Sequence, residues 1–192
     1  IRRQRQMCIR ERAGEEGVEV PFLRPSELST DTAGSREVIL HAMDYADSEG
    51  IPYDCVVLLQ PTSPFRTGRH ITEALALFNP ETTDMVVSVC KASANPYYNC
   101  FETDPASGYL HISKGDGLLT RRQDAPEAWE YNGAVYVINP ESIRKMPLGA
   151  FPRRIPYEMS REDSLDIDTP LDLTIARAVM DARMKEATSQ GN

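Results

Sequence analysis

The residues best placed to do chemistry are two aspartates, Asp166 and Asp168, in "SLDIDTPLD" (164–172). In an extended segment, positions two apart project from the same side. Two hard oxygen donors held that close repel unless a cation joins them, and Mg²⁺ with phosphate oxygens is the usual one. The alternative is a solvated acidic entry to a helix. Thr169 is a natural N-cap, Pro170 suits the first helical position, and Asp172 follows three residues after the cap. The spacing predicts a helix to about residue 187, with Leu173, Ala176, Val179 and Met180 on one face.

Other uses of an Asp-x-Asp pair fail on context. An aspartyl-nucleophile phosphatase needs DxDxT after a hydrophobic strand, with a hydrolase domain downstream; here Thr169 directly follows Asp168 and little chain remains. A glycosyltransferase-type pair belongs mid-chain at a strand end.

Three further stretches offer polar groups. In "VVLLQPTSPFR" (56–66) an apolar run ends in Gln60, Thr62 and Ser63, and Pro61 and Pro64 fix two backbone angles around them. That is either a stiff turn before a helix or a shelf holding an amide and two hydroxyls for a ligand at low entropic cost. In "RPSELSTDTAGS" (24–35) Arg24, several hydroxyls and free N–H groups precede a helix, which is either an anion or base-edge site or an ordinary N-cap at Ser35. Arg121 and Arg122 form a fork for a carboxylate or phosphate, or a solvated surface pair; the solvated reading is stronger still for Arg153 and Arg154.

The elements that would position these groups follow from periodicity. A short strand is expected at 17–25, a helix at 36–46, a strand at 54–60, a helix at 70–78 and a strand at 84–91. Strands and helices alternating through short connectors predict an α/β fold with a mainly parallel sheet, and "CVVLL" and "MVVSV" read as strands buried on both faces. Residues 95–113 read as an aromatic hairpin joined around "DPASG", and 134–139 as another buried strand.

Composition narrows the classes. A chain of 192 residues, 41% hydrophobic, supports one sizeable core in one domain. Its formal charge of −8 opposes binding to nucleic acid or an anionic membrane, and no apolar run is long enough to span a bilayer. The expected location is cytoplasmic. The four cysteines show no metal-ligand spacing and read as reduced structural thiols, and the three histidines are scattered. Residues 1–16 open with the arginine-rich "IRRQRQMCIRER", which lacks apolar periodicity and reads as a disordered or non-native arm.

In order along the chain, "FLRPSELSTDTAGS", "VVLLQPTSPFRTGRHI", "TRRQDAPEAWEYNGAVYVIN" and "SLDIDTPLDL" resemble the acylneuraminate cytidylyltransferases, from about residue 17 to 180. The resemblance implies a Rossmann-like nucleotidyltransferase domain over 17–187, with a protruding β-hairpin dimerisation extension at about 93–131. It implies that CTP and a nonulosonic, sialic-acid-like sugar acid are joined with Mg²⁺, releasing pyrophosphate, in a homodimer. Carried over by position, Arg24, Ala33 and Ser35 would contact the nucleotide. Gln60, Thr62, Ser63, Arg122, Asn132 and Tyr136 would face or shape the sugar-acid site, and Asp166 and Asp168 would be the catalytic metal pair.

Two departures stand out. The family's opening strand and its glycine- and lysine-containing triphosphate loop have no counterpart before residue 17, so the chain reads as a fragment with weak or absent CTP turnover. Glu130 and Tyr131 stand where sialate-specific members often carry an arginine before the NGA segment, which points to a different sugar decoration, of legionaminate or pseudaminate type. The alternatives are a 3-deoxy-manno-octulosonate-type cytidylyltransferase and a non-catalytic dimeric binding domain on the same fold.

Overall fold

A computed structural model describes residues 10–29 and 34–190. The chain divides into two compact units: Ile1–Val56 with Asn139–Pro152, and Val57–Ile138 with Arg153–Asn192.

In the first unit, residues 10–15 form a helix, α1, where an irregular arm was expected. Gly17, at φ 75°, closes it: the N–H groups of Gly17 and Val18 bond back to Gly14 and Ala13. The strand expected at 17–25 is not formed; Pro21 and Pro25 remove two backbone donors, and Phe22 instead packs at 5.1 Å from His41 and 4.8 Å from Tyr45. His41 and Tyr45 lie on α2 (Ser35–Ser48), which packs on α4 (Pro140–Lys145). Asn139 caps α4 by accepting from the N–H groups of Glu141 and Ser142. Arg36 donates to the carbonyls of Ile143 and Arg144, satisfying acceptors at the α4 C-terminus.

The second unit is built on a four-stranded sheet in the order β1-β5-β2-β6, with β1 Val56–Leu58, β2 Met85–Lys91, β5 Trp129–Ile138 and β6 Arg154–Glu158. β6 runs parallel to β2, and β5 lies antiparallel to β2. A separate antiparallel hairpin pairs β3 (Phe101–Thr103) with β4 (Leu110–Ile112), within the stretch where a hairpin was expected. Asp104 shapes its turn by accepting from the N–H groups of Ala106 and Ser107.

Residues 85–90 of β2 are all buried, as "MVVSV" predicts. β1, an edge strand of the described sheet, differs: Val57, and Leu59 just after the strand, are more than a third exposed. α3 (Gly68–Ala76) covers β5 and β2, with Ala74 and His70 buried beneath it. Arg153 is half exposed, but it is not simply solvated. Its guanidinium and its N–H both bind the buried carboxylate of Asp84, at 2.7–3.3 Å, and so clasp the start of β6 to the start of β2. α5 (Pro170–Gln190) closes the chain, with Ala176 buried, Val179 half-buried, and Leu173 and Met180 left exposed.

Candidate functional site

The site is organised by a bulge in β5. Val87 pairs with Tyr136 but Val89 pairs with Tyr131, so residues 132–135 bow out opposite Ser88. Gly133 sits at φ 72°, a left-handed conformation that glycine adopts freely. Ser88 holds the bulge from below: its hydroxyl donates to Asn132 Oδ1 at 2.5 Å and accepts from the Val135 N–H at 2.7 Å.

Asn132 was expected to face substrate, and the structure gives it a different place. It is buried, and its amide is fully engaged. Oδ1 accepts from Ser88 and from the Ala134 N–H at 3.1 Å; Nδ2 donates to Ser164 Oγ at 2.8 Å and to Met159 Sδ at 3.4 Å. No polar valence of this side chain is left for a ligand. Its role is to hold the bulge, Ser88 and the segment carrying Ser164 together.

The proline-bracketed turn packs against this bulge. Ser63, buried, donates to the Asn132 carbonyl at 3.1 Å, so its hydroxyl too is spent on the scaffold. Arg66 donates from one nitrogen to the carbonyls of Gln60, at 3.1 Å, and Ala134, at 2.7 Å, tying the turn to β5; burial lowers its pKa. Gln60 is half-buried, lies across Gly133, and its side-chain amide makes no hydrogen bond to any described residue.

The Thr62 carbonyl accepts from the Ile167 N–H at 2.9 Å. This bond fastens the Asp166–Asp168 segment to the turn beside Gln60. Asp166 Oδ1 is buried and has no hydrogen-bond partner. Its charge, after burial and Tyr131, contributes to raising the pKa of the half-buried Tyr136. Asp168 is exposed. Asp172 is used differently: its carboxylate accepts from the N–H groups of Asp168 and Thr169 and from the Thr169 hydroxyl, while Thr169 Oγ1 accepts from the Asp172 N–H. That reciprocal cap on α5 matches the sequence expectation, and the Thr169 hydrogen bonds hold the Asp172 pKa down.

Asp166 and Asp168 therefore remain as the carboxylates not consumed by the cap. Among the described residues no cluster of three or more His, Cys, Asp or Glu could hold a metal. Two carboxylates, one with an orphaned buried oxygen, fit a cation that takes its other ligands from water and phosphate, which is how Mg²⁺ commonly binds.

Behind this loop, Asp163 accepts from Arg183 of α5 at 2.9 Å and from Ser160, and lies 3.8 Å from His70 Nε2. Burial pushes the Asp163 pKa up, but Ser160, Arg183 and His70 outweigh it and hold the group below its ordinary value. Arg183 also stacks 4.7 Å over Phe65. His70 Nδ1 accepts from the Thr67 N–H at 3.2 Å, so one imidazole caps α3 and faces the loop. Ser88, Ser164, Arg66 and Asp163 were not picked out from the sequence. The usable signal was Ser88, the one polar residue inside the apolar run of β2, because a buried hydroxyl must find partners.

Tyr131 extends the wall beside Tyr136. The rings meet edge to face at 6.2 Å, and Arg154 donates to the Tyr131 hydroxyl at 3.0 Å. On the neighbouring β5 residue, Glu130 accepts from Cys90 Sγ at 3.4 Å, and burial followed by Glu130 raises the thiol pKa. Among the described residues Cys55, Cys90 and Cys100 are free thiols, and Cys8 lies outside them.

Arg122 lines a separate cleft of about 590 Å³ with Lys91, Asn95 and Arg161, and its guanidinium donates to the carbonyls of Ala92 and Ser93. Arg121 pairs with Asp124 instead. Of the residues expected to contact nucleotide, Arg24 is exposed on a groove of the first unit with Phe22, Val38 and Ala42, and Ala33 lies outside the described residues. Ser35 is the first residue of α2 and Gly34 is its N-cap; the Glu37 carboxylate folds back against Gly34.

No protein-family model matches the chain. It is 34% identical, over 166 residues, to an N-acylneuraminate cytidylyltransferase of Streptococcus agalactiae serotype V, covering 86% of this chain and 37% of that protein. An N-acylneuraminate cytidylyltransferase of Escherichia coli O18:K1:H7 is 34% identical over 171 residues, covering 86% and 38%. Over the matched stretch the chain is similar to these N-acylneuraminate cytidylyltransferases. A CMP-N,N'-diacetyllegionaminic acid synthase of Legionella pneumophila is 28% identical over 166 residues, covering 86% of this chain and 70% of that protein. The chain thus spans well under half the length of the first two cytidylyltransferases it matches.

Proposed function

We propose that this chain forms the sugar-acid and metal side of a cytidylyltransferase that joins CTP to a nonulosonic acid, giving a CMP-sugar and pyrophosphate. The observation that carries the reading is Asp166 Oδ1, a buried carboxylate oxygen with no partner, fastened through the Ile167–Thr62 bond beside a Gln60 amide that also has none. Buried polar atoms without partners are rare, and a bound ion or water is one of the things that satisfies them. The substrate class is taken from the relatives, an N-acylneuraminate cytidylyltransferase and a CMP-N,N'-diacetyllegionaminic acid synthase.

Asp166 and Asp168 would hold Mg²⁺, which when bound neutralises phosphate charge and offsets charge on the leaving pyrophosphate. Gln60 would orient the sugar acid by hydrogen bonds, with Thr62 in the turn beneath it and Ser63 fixing that turn. Tyr136, half-buried beside Asp166, would pack against the sugar so that its anomeric hydroxyl meets the α-phosphorus in line. Arg122 would bind a substrate anion from the cleft it lines, and Arg24, Ala33 and Ser35 would meet the cytidine. Glu130, a carboxylate adjacent to Tyr131 on β5, favours a decoration other than that of common sialic acid.

A homodimer is part of the same reading. The hairpin leaves Phe101 55%, Tyr109 78% and Leu110 68% exposed, apolar surface that a second copy would cover. A cytoplasmic location, where CTP is available, belongs to the same proposal. No helix among the described residues is long and apolar enough to cross a membrane.

The test measures binding of N-acetylneuraminate, N,N'-diacetyllegionaminate and 3-deoxy-manno-octulosonate to the chain by calorimetry, and pyrophosphate release from CTP with Mg²⁺ by a full-length version that carries the triphosphate loop. A nonulosonic acid should bind best. Asp166→Asn and Asp168→Asn should each lower release by about 100-fold or more, since the metal contributes several kcal/mol to the barrier. Preference for the octulosonate would move the assignment to that type. Absence of binding at millimolar concentration, or undiminished release in both variants, would refute the proposal.

A further inference from the structure

Gly133 combines two properties. Its φ of 72° suits glycine, and a Cβ there would come within 2.8 Å of Gln60 Oε1, 3.3 Å of Gln60 Cδ and 3.1 Å of Ser63 Oγ. Ser63 cannot yield readily, because it is buried and bonded to the Asn132 carbonyl. Gln60 can, because its amide is the free end of a flexible side chain with no hydrogen bond to any described residue. Its backbone stays fixed, since Arg66 holds the Gln60 carbonyl. A side chain at 133 would therefore displace the Gln60 amide first, while Ser63 Oγ would have to give by only a few tenths of an ångström.

We infer that Gly133 is the seat of Gln60: a positioning residue whose missing side chain lets the amide lie flat on the β5 bulge and face the substrate. The inference rests on the sugar-acid reading of Gln60 and adds the device that aims it. The bulge explains how the seat is kept. Ser88 and Asn132 hold residues 132–135 from within, so the backbone at Gly133 cannot relax away from the turn.

The experiment combines a structural readout and an affinity cycle on the full chain. In ligand-free NMR spectra, the Gln60 side-chain amide protons should show contacts to the Gly133 Hα protons, and in Gly133→Ala they should shift toward solvent-averaged values. Absence of those contacts in the unmodified chain overturns the seat, whatever the ligand. For sugar-acid affinity, Gln60→Ala and Gly133→Ala should each weaken binding roughly tenfold, the worth of about one hydrogen bond. Gly133→Ala in the Gln60→Ala background should add nothing further. An equal loss in both backgrounds would make Gly133 merely structural. Because the left-handed backbone strain lowers the melting temperature of Gly133→Ala in either background, Gln60→Asn serves as a second variant that leaves residue 133 untouched. It keeps the amide but withdraws it from the seat, and should bind as weakly as Gln60→Ala; retained affinity would overturn the inference. Amide contacts as expected, with no sugar acid bound by any variant, would instead sink the functional reading and leave the seat standing.

Discussion

Replacing Asn132 by aspartate tests whether this residue is scaffold. The change is isosteric, so packing is preserved. Asn132 is only 4% exposed, its Oδ1 accepts twice, and its Nδ2 donates to Ser164 Oγ at 2.8 Å. The Ser164 hydroxyl already donates to the Ser160 carbonyl at 2.6 Å, so it cannot turn to donate to a carboxylate. In Asn132→Asp an ionised carboxylate would set oxygen against oxygen in a buried pocket, whereas the protonated form restores the lost donor. The folded-state pKa of the new carboxyl must therefore rise above its unfolded value near ~3.9. Above that pH the unfolded chain sheds the proton first, so stability falls as pH rises until the folded pKa is reached. The slope is about 1.4 kcal/mol per pH unit, which reaches about 4 kcal/mol at neutral pH if the folded pKa is near 7 or higher. That is a large share of the roughly 5–15 kcal/mol typical of a domain. Urea unfolding followed by the fluorescence of the single tryptophan, Trp129 on β5, at several pH values from 4 to neutrality would read it, taken as the difference between variant and unmodified chain. The two should be close near pH 4 and diverge steadily above it. A difference independent of pH, or one that grows on the acid side, would refute the network.

Two further outcomes follow from the same structure. Asp166→Asn should stabilise the metal-free chain by about 0.5–1.5 kcal/mol, because a neutral amide is less costly than a buried, partnerless carboxylate oxygen, and Mg²⁺ should raise the melting temperature of the unmodified chain only; a variant less stable in EDTA would contradict this. Tyr157, whose hydroxyl donates to Glu73, has its pKa pushed up to about 12 by burial and then by that carboxylate, so its stabilising contribution is complete below the unfolded value near ~10 and is lost as pH rises through about 12. An alkaline absorbance titration should show a late-ionising tyrosine that disappears in Tyr157→Phe, and the same variant should lose about 1–2 kcal/mol at neutral pH; a single titration near ~10 would argue against it.

How much of this was legible in the sequence depends on whether a feature is local. β2, α3, the capped start of α5 and the hairpin are written in runs and spacings a few residues long, and the folded chain has them all. "CVVLL" and "MVVSV" look alike as apolar runs, yet β2 is central and buried while β1 is an edge; nothing in the run records how many neighbours a strand will have. β6 escaped notice because Pro156 and charged residues interrupt it, which an edge strand tolerates and a central one does not. Arg153 looked solvated because its partner, Asp84, is remote in sequence.

The candidate site divides on the same principle. Which residues gather there could be read from short motifs, but which of them are free to meet a ligand could not, since that depends on partners contributed by other segments. Asn132 and Ser63 carry groups as polar as those of Gln60 and Asp166. The first two spend them on Ser88, Ser164 and the bulge backbone, while the Gln60 amide and Asp166 Oδ1 are left without partners. Scaffold and ligand-facing roles are thus separated by hydrogen-bond satisfaction rather than by residue type, and a substitution in either group should fail in its own way: in stability for Asn132 and Ser63, in binding for Gln60 and Asp166.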